Sequence, residues 1–505
     1  MEKLQNQIGL NMLEQNLINK HRYKKISPQK LFIDGDWVNG TGENFDIVSP
    51  IDGKPFTSIA RATVADMNKA IKSARTAFEK GLWSNMAPAH RKKILHKLAD
   101  LIERDALELT VLGVRDNGTE INMAINAEAG SAAGTFRYYA ECIDKVYGEI
   151  APTANNVLGL IHKEPVGVVG AIVPWNFPLM IGAWKIAPAL AAGNSIVLKP
   201  AETASLSLLK IAELASEAGV PEGVLNIITG QGSVVGKAMG LSMDVDVLAF
   251  TGSGPTGRRL LEYSAQSNMK RCYLELGGKS PNIVFSDAPD LDQAAKVSAM
   301  AIFRNSGQVC VAASRLIIED EIHDDFIRKV IKHANLLKVG DPLDLSSDVG
   351  AINSKIQLRS NLKFVDVAKE EGADILTGGN QILQNTGGYY MEPTVVTNVS
   401  PNSTLFKDEV FGPVLAVSKF KSESEAITLA NGTEFGLSAG IWTSNLSKAH
   451  QMVSKVNAGV VNVNTYGGAD VTVPLSGVKQ SGNGADKSMH ALDKYINLKT
   501  AWIQL

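Results

Sequence analysis

Cys310 and Glu275 are the two side chains of this chain whose types and surroundings suit covalent chemistry. Cys310 ends the run Gly307-Gln308-Val309-Cys310 with no other cysteine near it, and Glu275 lies upstream in the glycine-rich run Leu274–Lys279. An isolated cysteine in a long chain is usually an inert core residue. A thiol is useful in catalysis when neighbouring groups stabilise the oxyanion of its adduct and activate a water molecule. The other motifs of the chain decide between these two interpretations.

A candidate nucleotide-binding turn, Gly252-Ser253-Gly254-Pro255-Thr256-Gly257, follows the apolar run Val247–Phe250 and precedes the helical run Arg258–Ala265. A glycine-rich turn between a strand and a helix can hold a pyrophosphate at the helix N-terminus. The usual pattern then requires an acidic residue about 20 residues further on to hold the ribose, and Glu275 lies near that spacing. The alternative is a glycine-rich turn that binds no ligand.

A second candidate for ribose binding lies at the end of an earlier predicted strand. The run Lys199-Pro200-Ala201-Glu202 puts a cation and a carboxylate at the start of a helical segment. Both side chains could reach ribose hydroxyls, and a carboxylate there would repel a 2′-phosphate, which favours NAD over NADP. The alternative is an exposed helix start with an acidic residue in its first turn. From spacing alone, Glu275 and the Lys199–Glu202 pair are rival ribose ligands.

Alternating strands and helices must position these motifs. Between residues 166 and 300 the predicted strands are Val168–Pro174, Ser195–Lys199, Val224–Thr229, Val247–Thr251, Arg271–Leu276 and Asn282–Phe285, with helices at 178–192, 203–218, 233–240 and 255–265. This rhythm predicts an α/β fold with a mostly parallel sheet and helices on both faces. A second α/β series follows, with strands near 315–319, 394–399 and 413–420 and helices near 322–337, 353–371 and 423–431.

Turn and helix-start residues predict the secondary structure of the segment that precedes this alternation. The run Leu31–Val38 predicts a hairpin with Asp34-Gly35 at its turn. Residues 64–80, 88–112 and 120–147 are predicted helices, the second beginning at Pro88.

The two ends of the chain differ from the rest. Residues 1–30 are rich in Asn, Gln and Lys, with Leu10, Leu13 and Leu17 at helical spacing. This segment is interpreted as an extension that is either a helix or arm packed on a partner, or a disordered tail. The alternating run Tyr495–Ile503 predicts a strand, and a terminal strand of this kind often pairs with another subunit.

Composition and charge exclude several classes of function. A chain of 505 residues predicts two or more domains. The 50 basic and 52 acidic residues give a net charge of −2, which argues against nucleic-acid binding, and no apolar run is long enough to predict a membrane span. The three cysteines, Cys142, Cys272 and Cys310, cannot form a disulfide framework and fit a reducing, cytoplasmic compartment. Cys142 and Cys272 are expected in the core, and no metal site is predicted.

Ordered motifs give the chain a resemblance to a known family. They are Pro174–Pro178, Lys199–Glu202, Phe250–Ser253, Leu274–Lys279, Gly307–Cys310 and Glu409–Pro413. Together they resemble the NAD(P)-dependent aldehyde dehydrogenase superfamily over residues 31–505. Within it, the runs Ser481–Gly484, Asp486–Ser488 and His490–Leu492, and Ala140-Glu141 with Asp144–Glu149, resemble the group that oxidises ω-amino and γ-glutamylamino aldehydes in polyamine breakdown.

The resemblance implies a fold and an assembly. It implies a Rossmann-like dinucleotide-binding domain over residues 31–142 and 167–277, and an α/β catalytic domain over 278–478. A small β oligomerisation arm would comprise 143–166 and 479–505, with residues 1–30 as an extension. Members of the family pair through a terminal strand, so a homo-oligomer, a dimer or a homotetramer, is expected.

The resemblance also implies a role for each motif residue. Cys310 matches the nucleophile, Glu275 the general base, and the Asn176 amide with the Cys310 backbone N–H the oxyanion donors, while Lys185 would tune these charges. Lys199 and Glu202 match the adenine-ribose ligands, which resolves the rivalry in their favour. The implied cofactor-binding residues further include Val173, Pro174, Trp175, Gly232, Phe250, Thr251, Gly252, Ser253 at the pyrophosphate, Leu276, and Glu409 and Phe411 at the nicotinamide.

Departures from the family pattern bear on the substrate. Leu475 removes an aromatic wall that is usual in the substrate tunnel, Arg304 stands where an aromatic is usual, and Ala485 and Asn497 replace an arginine–glutamate pair near the subunit contact. Phe177, Ile181 and Trp184 are expected to line an apolar throat. Asp470 and Glu128 would attract an amine and Arg304 a carboxylate, which together fit a γ-glutamylamino aldehyde. Alternatively, these three are solvated rim charges.

Rival functions are an oxidation of aliphatic or aromatic aldehydes, for example of the indole type, a CoA-acylating relative, and a non-catalytic binding protein on the same scaffold. The base at Glu275 argues against the CoA-acylating branch. A non-catalytic relative would lack the nucleophile, the base or a cofactor residue, and none of these is missing.

Overall fold

Five of the six strands predicted between residues 166 and 300 lie in one seven-stranded sheet of the computed structural model, which describes residues 14–467 and 470–505. The sixth, predicted as Asn282–Phe285, lies in a second sheet. The strands of the first sheet, in spatial order, are Arg271–Glu275, Val247–Thr251, Val168–Ile172, Ser195–Lys199, Leu225–Ile227, Leu31–Ile33 and Asp36–Val38. The first five strands are parallel, and the predicted hairpin Leu31–Val38 adds two antiparallel strands at one edge. Three inner strands are buried at every residue because helices cover both faces of the sheet.

The helices of this layer follow the predicted order. They are Val64–Glu79, Pro178–Ala191, Leu206–Ala218, Lys237–Leu241 and Gly254–Ala265. The predicted helix 233–240 begins instead with a π-helical turn, Gly232–Gly236. Pro178 begins its helix, as expected for a residue that lacks a backbone N–H and has a helical φ.

A second seven-stranded sheet contains the later α/β series. Its strands are Asp374–Thr377, Thr394–Thr397, Val414–Phe420, Arg315–Glu319, Pro281–Val284, Ser438–Trp442 and Val460–Val463, in spatial order. The principal helices around it are Leu291–Phe303, His323–Leu336, Lys355–Glu370, Glu423–Asn431 and Leu446–Lys455. The sequence did not predict three of these strands, Asp374–Thr377, Ser438–Trp442 and Val460–Val463. The two sheets confirm the predicted α/β class.

The predicted helices 88–112 and 120–147 are wrong in their continuity. The first is divided into Pro88–Arg104 and Ala106–Asn117 at Asp105, whose φ of −100° and ψ of 16° leave the helical region. Aspartate favours such a break because its side chain competes with helical hydrogen bonds. The second is divided into Ile121–Ala124, a π-helical turn Ile125–Gly130, Ser131–Cys142 and a short 3₁₀ turn, Ile143–Lys145.

A three-stranded sheet contains the terminal strand. Ile496–Gln504 confirms the predicted strand and pairs antiparallel with Val157–Pro165, which also pairs with Glu149–Ala151. The partner strand within this chain was not predicted. The other edge of Ile496–Gln504 has no strand partner among the described residues.

Short elements complete the described chain. They are the helices Gln15–Arg22 and Thr404–Lys407, the strand pairs Phe45–Val48 with Pro55–Ile59, Gln381–Ile382 with Tyr390–Met391, Phe435–Gly436 with Val478–Lys479, and Leu475–Ser476 with Ala485–Asp486, and the 3₁₀ turns Arg304–Gly307, Asp320–Ile322, Gln384–Thr386 and Met489–Tyr495. Leu17 lies on the first of these helices, whereas Leu10 and Leu13 lie outside the described residues. Throughout 14–467 and 470–505, every helix is too short or too polar to cross a membrane.

Candidate active site

The sequence motifs converge at one edge of the first sheet. In a parallel sheet all carboxyl ends point the same way, and here Ile172 pairs with Lys199 while Thr251 pairs with Glu275. The chain runs outward in opposite directions from Val168–Ile172, first to Ser195–Lys199 and later to Val247–Thr251. A crevice outside the carboxyl ends at such a reversal is the usual ligand site of an open α/β sheet.

Glu275 is a buried carboxylate without a hydrogen-bond partner. It ends the strand Arg271–Glu275, is 2% exposed, and neither carboxylate oxygen is bonded within the described residues. Burial raises the pKa of Glu275 well above its usual range, Asp486 raises it further, and Lys185 and Lys494 oppose the shift. A carboxyl group with a raised pKa can take up a proton near neutral pH.

The segment 481–484 holds the strand that ends at Glu275. The Leu276 N–H donates to the Ser481 carbonyl at 2.9 Å, and the Leu274 N–H donates to Asn483 Oδ1 at 2.9 Å. At Gly482, φ is +117° and an added Cβ would lie 2.0 Å from the Leu274 carbonyl oxygen, so this contact requires glycine. These contacts at Leu274 and Leu276 therefore hold the backbone on either side of Glu275, the candidate base.

Cys310 follows a loop in an uncommon backbone conformation. Asn305, Ser306 and Gly307 have φ of 49°, 52° and 71°, all in the left-handed region. Such conformations persist when surrounding contacts enforce them. Here the Asn305 N–H donates to Glu120 Oε1 at 3.1 Å, and an added Cβ at Gly307 would lie 2.1 Å from the Gly412 carbonyl oxygen. These contacts fix the backbone immediately before the thiol.

The Cys310 thiol is half-buried and lies beside carboxylates. Burial raises the pKa of Cys310 to about 12, and the nearby Glu275 and Glu409 carboxylates add to this shift. The resting group is therefore a neutral thiol that must lose its proton before it attacks a carbonyl. Cys142 and Cys272 are buried, as expected for core cysteines.

Asn176 lies against the loop that carries the thiol. Its side-chain Nδ2 donates to the Gln308 carbonyl at 2.9 Å, and its backbone carbonyl accepts from Asn305 Nδ2 at 3.3 Å. An amide nitrogen carries two hydrogens, so this contact uses one of them. The other hydrogen has no acceptor within the described residues.

A charged network lies at the ends of the neighbouring strands. Lys199 is buried, and its Nζ is 3.2 Å from Glu202 Oε2, while Glu202 Oε1 accepts from the Gly232 N–H at 2.8 Å. The Glu202 side chain is 39% exposed and can therefore reach a ligand. Burial lowers the pKa of Lys199, and the Glu202 carboxylate opposes that shift.

The glycine-rich turn leads into a helix N-terminus. Ser253 is exposed and precedes the helix Gly254–Ala265, whose first backbone N–H groups are free to bind an anion. The Gly252 N–H donates to the Glu275 backbone carbonyl at 3.1 Å. The glycine-rich turn thus contacts the Glu275 backbone, while the Glu275 carboxylate lies near enough to Cys310 to raise the pKa of the thiol. The spacing rule alone therefore does not assign this carboxylate to a ribose.

The second sheet contributes Glu409 and Phe411. Glu409 Oε1 accepts from the Gly278 N–H at 2.9 Å, and burial raises the pKa of Glu409 to about 7. The Phe411 and Trp175 rings meet edge to face with centroids 5.2 Å apart. The remaining implied cofactor residues, Val173, Pro174, Phe250, Thr251 and Leu276, lie at or beside the same strand ends.

The predicted throat residues share one buried cluster. It contains Phe177, Ile181, Trp184 and Leu475, and Cys310 packs against it. Arg304 and Asp470 are exposed. Burial raises the pKa of Glu120, and the nearby Arg304 opposes that shift.

The expectation that Glu128 is an amine-attracting charge is wrong. Glu128 is 3% exposed and its Oε2 accepts from the Met180 N–H at 2.7 Å, in the first turn of the helix Pro178–Ala191. Burial raises the pKa of Glu128 to about 8, with Asp116 also raising it. The group is mostly neutral at pH 7 and serves to bond the helix start.

Sequence reasoning missed two charged residues at the site. Asp486 Oδ2 lies 2.5 Å from Lys185 Nζ, and Asp486 Oδ1 lies 2.5 Å from Lys494 Nζ, with all three side chains buried. Asp486 lies in a run that the resemblance singled out as a signature of the group, but no spacing rule joins positions so far apart in the chain. It is the fold that brings Lys185 and Asp486 into contact.

Comparisons with known proteins agree with this geometry. Residues 37–501 match the aldehyde dehydrogenase family model. The chain is 47% identical over 477 residues to the NADP/NAD-dependent aldehyde dehydrogenase PuuC of Escherichia coli (strain K12), covering 94% of this chain and 96% of that protein.

Two solved structures have the same fold. An indole-3-acetaldehyde dehydrogenase in complex with NAD⁺ superposes with a TM-score of 0.96 at 47% identity, covering 98% of this chain and 100% of that one. A γ-glutamyl-γ-aminobutyraldehyde dehydrogenase from Burkholderia cenocepacia J2315 superposes with a TM-score of 0.95 at 45% identity, with the same coverage of both chains. From the matched motifs, the shared fold and these relatives, the chain belongs to the aldehyde dehydrogenase family.

Proposed function

We propose that this enzyme oxidises an aldehyde to a carboxylic acid with NAD as the hydride acceptor, using Cys310 as nucleophile and Glu275 as general base. The observation that carries this proposal is the buried Glu275 carboxylate, free of hydrogen bonds within the described residues, beside a half-buried thiol. No hydrogen-bond donor among the described residues satisfies this carboxylate. A water molecule at the thiol adduct would give it one.

The residues at the strand ends fit a dinucleotide. The Lys199–Glu202 pair offers a donor and an exposed acceptor to ribose hydroxyls, and the helix N-terminus after Ser253 offers backbone donors to a pyrophosphate. Phe411 and Trp175 would form an aromatic wall beside the nicotinamide, and Glu409 would bind its ribose. When bound, NAD supplies the acceptor for the substrate hydride.

The reaction has two stages, formation of a thioester on Cys310 and hydrolysis of that thioester. The Cys310 thiol first gives its proton to solvent water, and the thiolate then forms a bond to the aldehyde carbon. The Asn176 amide and the Cys310 backbone N–H stabilise the oxyanion that forms from the carbonyl oxygen. Loss of hydride from this adduct leaves a thioester on Cys310. Glu275 then removes a proton from water as the water oxygen attacks the thioester carbon, and the carbon–sulfur bond breaks to release the acid.

We further propose an ω-amino or γ-glutamylamino aldehyde as substrate. Asp470 and Arg304 are exposed and opposite in charge, and Phe177, Trp184 and Leu475 belong to the apolar cluster against which Cys310 packs. A polar tail with both charges would contact both groups, while its methylene chain lies along the cluster. The similarity to a γ-glutamyl-γ-aminobutyraldehyde dehydrogenase supports this choice. The similarity to an indole-3-acetaldehyde dehydrogenase supports an aromatic aldehyde as the alternative.

An aldehyde panel tests the function. Purified protein is mixed with NAD and γ-glutamylamino, ω-amino, guanidino, aliphatic or aromatic aldehydes, and NADH is measured. A highest kcat/KM for a charged amino aldehyde supports the proposed substrate, and a preference for the indole or aliphatic aldehydes overturns the substrate class alone. No turnover of any aldehyde overturns the proposed reaction. Acyl-CoA formation after addition of CoA would show the acylating alternative.

Domain arrangement and assembly are also proposed. The first sheet would belong to the dinucleotide-binding domain, 31–142 with 167–277, and the second sheet to the catalytic domain, 278–478. In the arm 143–166 with 479–505, one edge of Ile496–Gln504 has no strand partner in the described part of the chain, and Leu498 and Trp502 on this strand are exposed. This edge favours a homo-oligomer, and we propose a tetramer. Light scattering measures the mass of the assembly. The unpaired cysteines favour a cytoplasmic location.

Glu202→Gln is expected to weaken the preference for NAD. Removing the carboxylate removes repulsion of a 2′-phosphate, so the ratio of kcat/KM with NADP to that with NAD rises by about tenfold, or ~1.4 kcal/mol. The measurement is initial NADPH and NADH production at varied cofactor. Glu213→Gln, on an exposed carboxylate paired with Lys210, is the matched control and keeps the wild-type ratio. An unchanged ratio in Glu202→Gln contradicts the assignment.

Asn176→Ala is expected to lower kcat by about 10²–10³-fold, because one oxyanion donor is lost. Steady-state kinetics with the best aldehyde of the panel measure it. Asn122→Ala removes an exposed amide whose Nδ2 donates to the Leu345 carbonyl, and it controls for the loss of an asparagine side-chain hydrogen bond. Equal effects of the two variants on kcat would remove Asn176 from the oxyanion site.

A further inference from the structure

Lys494 is a buried lysine paired with Asp486, which lies four residues after Gly482, the residue that forms a backbone bridge with Glu275. It lies in the 3₁₀ turn Met489–Tyr495 and its Nζ is 2.5 Å from Asp486 Oδ1. Lys185 Nζ is 2.5 Å from the other oxygen, Asp486 Oδ2. Their side chains are no more than 4% exposed. One carboxylate thus binds two lysines. These three groups together leave one positive charge uncompensated in the interior.

Glu275 supplies the missing negative charge. Asp486, Lys185 and Lys494 all act electrostatically on its carboxylate. With Glu275 ionised, the four groups carry two positive and two negative charges and are neutral together. With Glu275 protonated, the same group has a net positive charge. Interior charge is costly unless it is compensated, so the two lysines stabilise the ionised carboxylate and oppose the effect of burial, which favours the protonated form.

Lys487 is a further buried cation near Asp486, but it interacts more strongly with Asp470 than with Asp486, and the remaining titratable groups around Glu275 do not supply that compensation. The Cys310 thiol and the Glu409 carboxyl lie on the substrate side and are neutral or negative. The phenols of Tyr139 and Tyr495 lie near Asp486, and the Tyr139 hydroxyl donates to the Ser488 carbonyl at 2.9 Å. Without Lys494, Lys185 would face both carboxylates alone, and ionisation of Glu275 would leave a net negative charge.

We propose that Lys494 is a positioning residue for the reaction, which through Asp486 and Lys185 stabilises the ionised Glu275 carboxylate that accepts the proton of the attacking water. This inference rests on the proposed function, in which Glu275 is the general base. It assigns a chemical role to a lysine that otherwise looks like a structural partner of Asp486. A purely structural lysine would change stability and the rate at all pH values alike.

The pH dependence of turnover separates these roles. Wild type and Lys494→Met are assayed for kcat from pH 6 to 10 with NAD and the aldehyde of the panel that wild type oxidises fastest. Loss of the compensating cation makes Glu275 harder to ionise, so the midpoint of the rising limb moves up by about one pH unit. The rate at high pH recovers towards that of wild type. Lys494→Arg keeps the positive charge, so its midpoint is expected to lie close to the pH of the wild-type midpoint.

A matched control and a second variant protect the test. Lys270 is another buried lysine, with its Nζ 2.6 Å from the Gly240 carbonyl, and Lys270→Met is expected to keep the wild-type midpoint. Lys494→Gln keeps a donor to Asp486 and replaces Lys494→Met if that variant does not fold. An unshifted midpoint in the Lys494 variants, with active wild type, overturns the inference alone. Wild type without turnover of any aldehyde overturns the proposed function.

Discussion

Cys310→Ala is expected to lower kcat/KM for every aldehyde by roughly 10⁴-fold or more, because no other thiol lies at the site to form the covalent adduct. NADH binding is expected to persist, since the Lys199–Glu202 network makes no recorded contact with Cys310 among the described residues. NADH production measures the first effect, and a fluorescence titration with NADH measures the second. Together they separate loss of the nucleophile from loss of the fold.

Cys142→Ala and Cys272→Ala are matched controls for this result. Both remove a buried thiol, and their effect is expected on thermal stability, with kcat/KM kept within about threefold of wild type. Substantial turnover by Cys310→Ala would contradict the covalent mechanism. Loss of both turnover and NADH binding would point to misfolding of the loop after Gly307 instead.

The elements that carry the site follow from local sequence signals. Val247–Thr251 and Ser195–Lys199 are short apolar runs between helical segments, so their strand state and their parallel pairing follow from the alternation. Once these strands are parallel, the ends at Lys199, Thr251 and Glu275 must meet at one edge. The family resemblance adds roles to these positions, and the geometry is compatible with each of the motif roles proposed above.

The parts that were missed depend on contacts between distant segments. Ser438–Trp442 was not predicted as a strand, although it pairs with Pro281–Val284 inside the second sheet. Asn305 and Ser306 adopt left-handed conformations that their residue types do not require, because Glu120 and Gly350 bond them from elsewhere in the chain. Glu128 was misassigned because charge alone does not show whether a helix will cover a carboxylate. Tertiary packing decides all of these features.

Glu275→Gln is expected to stop the reaction at the thioester on Cys310. The amide keeps the shape of the side chain but cannot accept a proton from water, so hydrolysis of the thioester slows by about 10²–10⁴-fold. Attack by Cys310 is preserved, because removal of the Glu275 charge removes one cause of the raised pKa of the thiol. Rapid mixing should therefore show a burst of about one NADH per active site, followed by a slow steady state.

The pH profile gives this prediction a sign. Glu275 works in its ionised form, and burial raises its pKa, so wild-type turnover rises with pH as this carboxyl loses its proton. Glu275→Gln should lack this limb. Glu128→Gln is the matched control, since it changes another buried carboxyl whose pKa is about 8 and whose acceptor contact with the Met180 N–H an amide oxygen can keep. Steady-state turnover by Glu275→Gln at the wild-type rate would show that Glu275 is not the base for thioester hydrolysis. Loss of the burst with NADH binding intact would show that Glu275 also acts before the thioester forms.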